Sequence, residues 1–340
     1  MVDVKLSICI PAYNRPNELI ELLDSIERQA YAPHEVIICE DRSPEREDIS
    51  SAVQSFKRRS NLVVRYYEND VNLGYDANLR KTISLATGDY IFLSGNDDIL
   101  SDGCLEVVSR KIKIYSPSIL VRSYASFYKD SNNALTLHKY VLRDYFVRFS
   151  VEEAAWLFYR SVLVSGLVFS AKRAQEFQSS CVDGTLYYQN YLLSKIFQTG
   201  SVLYVPDILV HNRILDAGDF GSSEVEAKGE WEPGKRSIRS SVYQMSKFFE
   251  CARKVEDECQ IKLLTRLRVI ASAYSYPLLA YHSDKPLSEF IVYVNDLRKL
   301  GYRGVFFYLY AASLKIFGYS VSNLLLSRAR ALLGYTRRIV

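Results

Sequence analysis

Short apolar runs alternate with amphipathic stretches from the start of the chain. Leu6-Ser7-Ile8-Cys9-Ile10 predicts a strand ended by Pro11, and Leu19, Leu22, Leu23 and Ile26 follow at helical spacing. Residues 36–39 predict a second strand and 62–67 a third; a helix carrying Leu79, Ile83 and Ala86 leads into a fourth strand over 90–93. A helix over 103–115 holds Leu105, Val108, Ile112 and Tyr115 in register before a strand at 119–121. Strands alternating with helices at this spacing predict an α/β fold. Its sheet is mostly parallel, its crossovers right-handed, and its ligand crevice lies at the C-terminal ends of the strands.

Ser150 and Glu153 have the spacing of a capping box, opening a helix through Trp156 and Tyr159. Residues 166–170 and 202–205 read as strands and 187–197 as a helix, before a loop over 211–221 rich in His, Arg and Asp. Beyond about residue 235 the pattern is helical only, over 238–259, 262–281, 288–300 and 304–333. An α/β domain over 1–220 and a helical region over 235–340 are therefore expected.

Composition narrows the class. With 48% hydrophobic residues the chain is expected to fold rather than stay disordered, and six scattered cysteines without a Cys-x-x-Cys spacing read as reduced core thiols, not a zinc site or disulfide framework. The first strand is predicted within a few residues of Met1, so no cleavable leader is expected. The apolar run over 305–314 falls short of the roughly 18 residues of a spanning helix, so no membrane crossing is expected. The net charge of +4 is uneven: residues 297–340 hold eight Lys or Arg and no acid, leaving 1–296 at −4. A basic stretch with Phe306, Phe307, Tyr308, Tyr310, Phe317 and Tyr319 suits either an anionic lipid surface or a terminal helix pair with solvated cations. No nucleic-acid motif accompanies the charge.

The chemistry concentrates where the apolar run 90–93 meets Asp97 and Asp98. Two adjacent carboxylates at the end of a buried strand repel unless a cation lies between them, and hard oxygen ligands there suit Mg²⁺ or Mn²⁺ held against phosphate. A nucleoside diphosphate carrying a transferable group fits such a site. His211, Asn212 and Arg213 form a second cluster, in which His211 would complete the metal shell and Arg213 would hold a departing pyrophosphate. Arg80 and Lys81 face either the phosphates or solvent.

Residues 7–15 (Ser-Ile-Cys-Ile-Pro-Ala-Tyr-Asn-Arg), Glu40-Asp41-Arg42-Ser43, Asn72-Leu73-Gly74, and Ala86-Thr87-Gly88-Asp89-Tyr90 followed by Asn96-Asp97-Asp98 together resemble the signature of glycosyltransferase family 2. The resemblance spans about residues 5–215. Gly95-x-Asp97-Asp98 and Asp76-Ala77-Asn78 are most similar to the abequosyltransferase-like branch of O-antigen sugar transferases. This implies a Rossmann-like GT-A sheet flanked by helices. Pro11, Ala12, Tyr13, Asn14 and Arg15 would surround base and ribose, Asp41 would accept a base N–H, and Asn78 would lie on the donor side. Asp97 would contact the ribose and Asp98 would ligate the metal, with Gly95 standing where a first carboxylate is usual. Inverting members place a general base at the start of a helix in the second half of the domain. Here that stretch holds Gln189 and Asn190, so Asp183 is the nearest acid, with Asp216 or Asp219 as alternatives. The implied partners are a nucleotide-sugar donor and a polyprenyl-linked oligosaccharide acceptor, with peripheral contact at the cytoplasmic face of the inner membrane. Two other classes compete. A sugar-nucleotide nucleotidyltransferase calls for a glycine-rich phosphate loop, and residues 11–17 contain no glycine. A non-catalytic membrane-surface module would be consistent with the missing base.

Overall fold

The computed structural model describes residues 3–128, 131–214 and 237–332. Its first half alternates β1 (Leu6–Ala12), α1 (Pro16–Glu27), β2 (Glu35–Glu40), α2 (Arg46–Arg59), β3 (Val64–Glu68), α3 (Tyr75–Ser84) and β4 (Tyr90–Leu93). The chain continues through β5 (Ile99–Leu100), α4 (Cys104–Tyr115), β6 (Ile119–Phe127), β7 (Thr136–His138) and β8 (Tyr145–Arg148). After α5 (Val151–Arg160) come β9 (Leu167–Ser170), α6 (Ala171–Glu176), α7 (Tyr188–Gln198) and β10 (Ser201–Arg213). Among the described residues beyond 237, five helices follow: α8 (Ile238–Cys259), α9 (Leu263–Ala273), α10 (Tyr276–Ala280), α11 (Leu287–Leu300) and α12 (Val305–Leu332).

One sheet in the order β3-β2-β1-β4-β9-β6-β10-β5 organises the molecule, with β7 added to β6 and β8 to β10. Pairing is parallel from β3 to β4, as the strand-helix alternation predicts. Beyond β4 it becomes mixed, because β9 runs antiparallel to both β4 and β6 while β10 again lies parallel to β6. Both faces are covered, which explains why the strands read as continuous apolar runs. Ile8, Ile10, Val36 and Ile38 enter one core with α1 and α2, whereas Cys9 and Ile37 point to the other face, against α3.

That second core is continuous from Ile37 and Leu79 through Tyr188 and Phe248 to Tyr293, Phe307 and Leu314, so α8–α12 share it with the sheet. The periodicity over 262–281 resolves into two helices, α9 and α10, interrupted ahead of Pro277. In α12, Val305–Ala329 is by length and composition alone apolar enough to cross a membrane, a longer apolar stretch than 305–314, but the helix is broken at Gly318.

A buried carboxylate secures the start of the parallel sheet. Glu35 is almost inaccessible, and accepts hydrogen bonds from Ser7 Oγ (2.7 Å), Arg65 Nη1 (2.7 Å), and the Thr87 amide and hydroxyl (2.7 Å each). Burial alone would raise its pKa, but these donors prevail and hold it down to about 2 from the ordinary 4.5. A depressed carboxylate stabilises the fold in full above its unfolded pKa and loses that contribution as pH falls through its folded one. Glu35 should therefore contribute up to about 3 kcal/mol at neutral pH that disappears between pH 4.5 and about 2. Urea midpoints of wild type and Glu35→Gln should differ clearly at pH 7 and converge on acidification; equal midpoints at pH 7 would refute this account.

Candidate active site

The parallel strands β1, β2 and β4 end on one rim, and there a cleft of about 1330 Å³ opens between the sheet and the C-terminal helices. Its floor is built by Pro11 and Ala12 at the end of β1, by Tyr13 and Arg15 just beyond it, and by Gly95–Asp98 after β4. Asn14 and Arg15 both have left-handed backbone, φ 55° and 65°, a strained turn of the kind found at ligand sites. Asn96 Nδ2 donates to the Asn14 carbonyl (2.8 Å), fastening the two loops together.

The two carboxylates have different surroundings. Asp97 Oδ2 is ion-paired with Arg15 Nη1 at 2.6 Å, and its carbonyl accepts from Arg213 Nε at 3.0 Å. Burial raises its pKa against the opposing charges of Arg15 and Arg213. Asp98 is buried and accepts from the Ser165 hydroxyl, from Asn212 Nδ2 (3.0 Å) and from the Arg213 amide (2.8 Å). Burial, then the negative charge of Asp97, pushes it up to about 7 despite those donors. A Cβ at Gly95 would lie 3.1 Å from Asp97 Oδ1, a tight contact to which Asp97 would have to yield, and at ordinary contact distance, 3.6 Å, from Asp98 Oδ2.

Residues 211–213 divide as strand geometry requires. Asn212 reaches Asp98, while Arg213 lies over the Phe127 ring (4.8 Å) and also bonds Glu21. His211 does not join Asp98, which corrects the expectation that it completes a metal shell. It sits half-buried against Phe127, outside the cleft wall, with its pKa lowered by burial. Among the described residues no group of three or more His, Cys, Asp or Glu is arranged to hold a metal by itself. The arrangement instead suits one or two carboxylates completed by substrate phosphates, the usual Mg²⁺ mode, and a cation beside the Asp97–Asp98 pair would relieve the repulsion that raises Asp98.

Asp183 is also displaced from its expected role. It is ion-paired with Arg80 on α3 and does not line the cleft, so it is a link between α3 and the 179–183 turn rather than a base. Arg80 is thereby accounted for, and Lys81 bonds Asn69 Oδ1 (2.5 Å). Gln189 and Asn190 are buried and bonded to the carbonyls of Val162 and Phe158. Asp216 and Asp219 lie outside the described residues. The third carboxylate on the cleft wall, among the described residues, is Asp284 in the α10–α11 connection.

Asp41 is buried under the cleft floor, not on its surface. Its carboxylate accepts from the Leu73 amide (2.8 Å), the Gly74 amide (3.0 Å) and Asn69 Nδ2 (2.8 Å), tying β2 to the 72–74 turn. These bonds are a structural task, and Asp41 is not among the residues that line the cleft, where acceptance of a base N–H was expected. Asn78 does line the cleft, and donates to the Cys39 carbonyl (2.9 Å) while accepting from Asn69 (3.0 Å). Ser165 and Asp284 escaped the sequence reading, since neither stands in a motif.

Residues 7–166 match the family model for Glycosyl transferase family 2. That match takes in 160 of the 340 residues, a little under half of the chain. Abequosyltransferase RfbV of Salmonella typhimurium is 35% identical over 103 residues, 30% of this chain and 31% of that protein. The GalNAc(5)-diNAcBac-PP-undecaprenol beta-1,3-glucosyltransferase of Campylobacter jejuni is 26% identical over 107 residues, 32% of this chain and 34% of that protein. The chain thus aligns with about a third of the length of these relatives. In fold, the chain resembles S. aureus TarS 1-349 in complex with UDP-GlcNAc, with a TM-score of 0.58 and 13% identity over 87% of this chain and 80% of that one. It also resembles the Pyrobaculum calidifontis mannosyltransferase PcManGT in complex with GDP-Man and Mn2+, with a TM-score of 0.51 and 14% identity over 93% and 88%. The GT-A-like α/β sheet followed by helices is therefore the fold of this chain.

Proposed function

We propose that this chain transfers a sugar from a nucleoside diphosphate donor to a lipid-linked oligosaccharide in bacterial O-antigen or surface polysaccharide synthesis, at the cytoplasmic face of the inner membrane. The observation that carries this reading is the joint placement of Asp97, Asp98, Arg15 and Arg213 on one cleft wall at the strand-end rim of a sheet that matches the family 2 model. The names of the relatives, an abequosyltransferase and an undecaprenol-linked glucosyltransferase, support a dideoxyhexose or hexose donor and a polyprenyl acceptor.

In this reading Pro11, Ala12 and Tyr13 hold base and ribose, Asn78 lies beside them, and Asp97 turns from Arg15 to the ribose hydroxyls when donor enters. Arg15 and Arg213, both on the cleft wall, would then face the diphosphate. Mg²⁺ or Mn²⁺, held by Asp98 with Asp97 beside it, would neutralise charge growing on the leaving nucleoside diphosphate. Ser165, Asn212 and the Arg213 amide fix the Asp98 carboxylate, so no reorganisation is needed at the moment of transfer. As the acceptor oxygen bonds the anomeric carbon and the sugar–phosphate bond breaks, Asp284 takes the hydroxyl proton from across the cleft.

The test combines purified protein, a panel of nucleotide sugars and membrane lipid extract, with or without Mn²⁺. Nucleoside diphosphate should be released only with both donor and lipid-linked acceptor, and Asp284→Asn should lower kcat while leaving nucleoside diphosphate affinity within about twofold. Pyrophosphate release from a nucleoside triphosphate and a sugar phosphate would overturn the proposal in favour of a nucleotidyltransferase.

A further inference from the structure

The apolar segment that closes the chain is not a straight rod. Gly318 has φ 72° and ψ 172°, a conformation open to glycine and strained for other residues, and α12 breaks there. Ser313 Oγ and Ser322 Oγ lie 2.8 Å apart. Nine residues along one helix would separate them by about 13 Å, so the two halves fold back on each other. Each leg is about 20 Å long, short of the roughly 30 Å hydrocarbon core. Apolar composition alone would suggest a span, and the reversal at Gly318 excludes one in this conformation.

The hairpin has two unlike faces. Phe307 and Leu314 are buried in the core, and Lys315 donates to the carbonyls of Ser283 (3.0 Å) and Lys285 (2.6 Å), binding the first leg to the loop that carries Asp284. Tyr319, Asn323 and Leu326 of the second leg line the cleft. Outward, Ile316 is 71% exposed, Phe317 53% and Leu324 50%, alongside Val305, Phe306 and Leu325. Arg298, Lys299 and Arg303 are exposed before the first leg, Lys299 paired with Asp296, and Arg328 is exposed on the second, with no acid after Asp296 in the sequence.

We infer that the α12 hairpin is a one-leaflet wedge: its outer face enters an anionic lipid leaflet, these exposed cations meet the headgroups, and its inner face walls the cleft so that the site opens at the bilayer surface. The argument for lipid over a protein partner is charge complementarity around an apolar tip that carries no counter-charge of its own. The inference deepens the proposed reaction by placing its lipid-linked acceptor, and rests on that reading only for the acceptor.

The full chain is sedimented with vesicles of phosphatidylethanolamine containing phosphatidylglycerol, and with phosphatidylcholine vesicles, in the absence of donor. Wild type should bind the anionic vesicles. The triple change Ile316→Ser, Phe317→Ser, Leu324→Ser should weaken binding about tenfold or more. Arg303→Glu with Arg328→Glu should lose the preference for anionic lipid. All variants should keep the circular dichroism and nucleoside diphosphate affinity of wild type, which separates failure here from failure of the transferase reading. Equal vesicle binding by wild type and the triple variant would overturn the inference. So would a dimer that only the triple variant loses, marking the face as a contact between copies, or resistance to alkaline carbonate extraction, marking a true span.

Discussion

Asp98→Asn should leave a folded protein that transfers sugar about a hundredfold to a thousandfold more slowly than wild type. The amide is isosteric and keeps the local bonding. Its Oδ1 still accepts from Asn212 and the Arg213 amide, and the Ser165 hydroxyl rotates to accept from the new N–H where it now donates. Only the charge is lost. At neutral pH that charge is itself a strain on the fold, because burial and the adjacent Asp97 raise the Asp98 pKa to about 7. A raised carboxylate pKa opposes folding above the unfolded value, so the thermal midpoint of Asp98→Asn should equal or exceed that of wild type while Mn²⁺-dependent nucleoside diphosphate binding falls. Stability kept and activity lost is the pattern of a residue retained for chemistry. Activity within about threefold of wild type would remove Asp98 from the machinery and, with it, the proposed cation role.

Much of this site was legible because its parts are local. A strand, its C-terminal end and the two or three residues beyond it are contiguous, so Pro11–Arg15 and Asp97–Asp98 could be placed on one rim from the alternation of strands and helices alone. What escaped depends on contacts between distant residues. Ser165 lies 67 positions from the Asp98 it bonds, and Asp284 reaches the cleft only because α10, just before it, lines the wall. Residue 211 shows how narrow the margin is: strand side chains alternate, so His211 and Asn212 had equal claims by sequence, and the register gave Asp98 to Asn212. Asp41 shows the reverse difficulty, a motif residue whose carboxylate is occupied by the backbone of a neighbouring turn.

The fold divides along the same line. The parallel half followed from periodicity, but α2 went unread, since its stripe of Ile49, Ala52, Val53 and Phe56 is thin and set among charges. The antiparallel insertion of β9 between β4 and β6 has no local signature, because a buried central strand reads the same in either direction. Gly318 sat inside an unbroken helical pattern, where a glycine is tolerated, and only its dihedral angles reveal the turn.

Asp76→Ala should cost about 4 kcal/mol of stability, the largest loss expected from any single carboxylate in the domain. Asp76 is buried, and its two oxygens accept from the amides of Leu186 (2.7 Å) and Tyr188 (2.9 Å), just where α7 begins. That helix has no side-chain cap of its own and no acid in its first turn, and Leu186 before it is held in left-handed backbone at φ 69°. Asp76 therefore caps α7 from another helix, supplying both the missing acceptor and the negative charge that a helix N-terminus favours. Alanine would leave two buried N–H groups without partners, each a penalty of about 1–3 kcal/mol. Asp76→Asn keeps one acceptor oxygen and should lose about half as much. Because Tyr187 at this junction lines the cleft and packs on Phe248 of α8 at 5.2 Å, the disturbance should also reach donor binding. Urea unfolding of the two variants gives the stability order directly. A loss below about 1 kcal/mol for alanine would mean that α7 finds its cap elsewhere, and that the Asp76-Ala77-Asn78 motif serves the ligand instead of the scaffold.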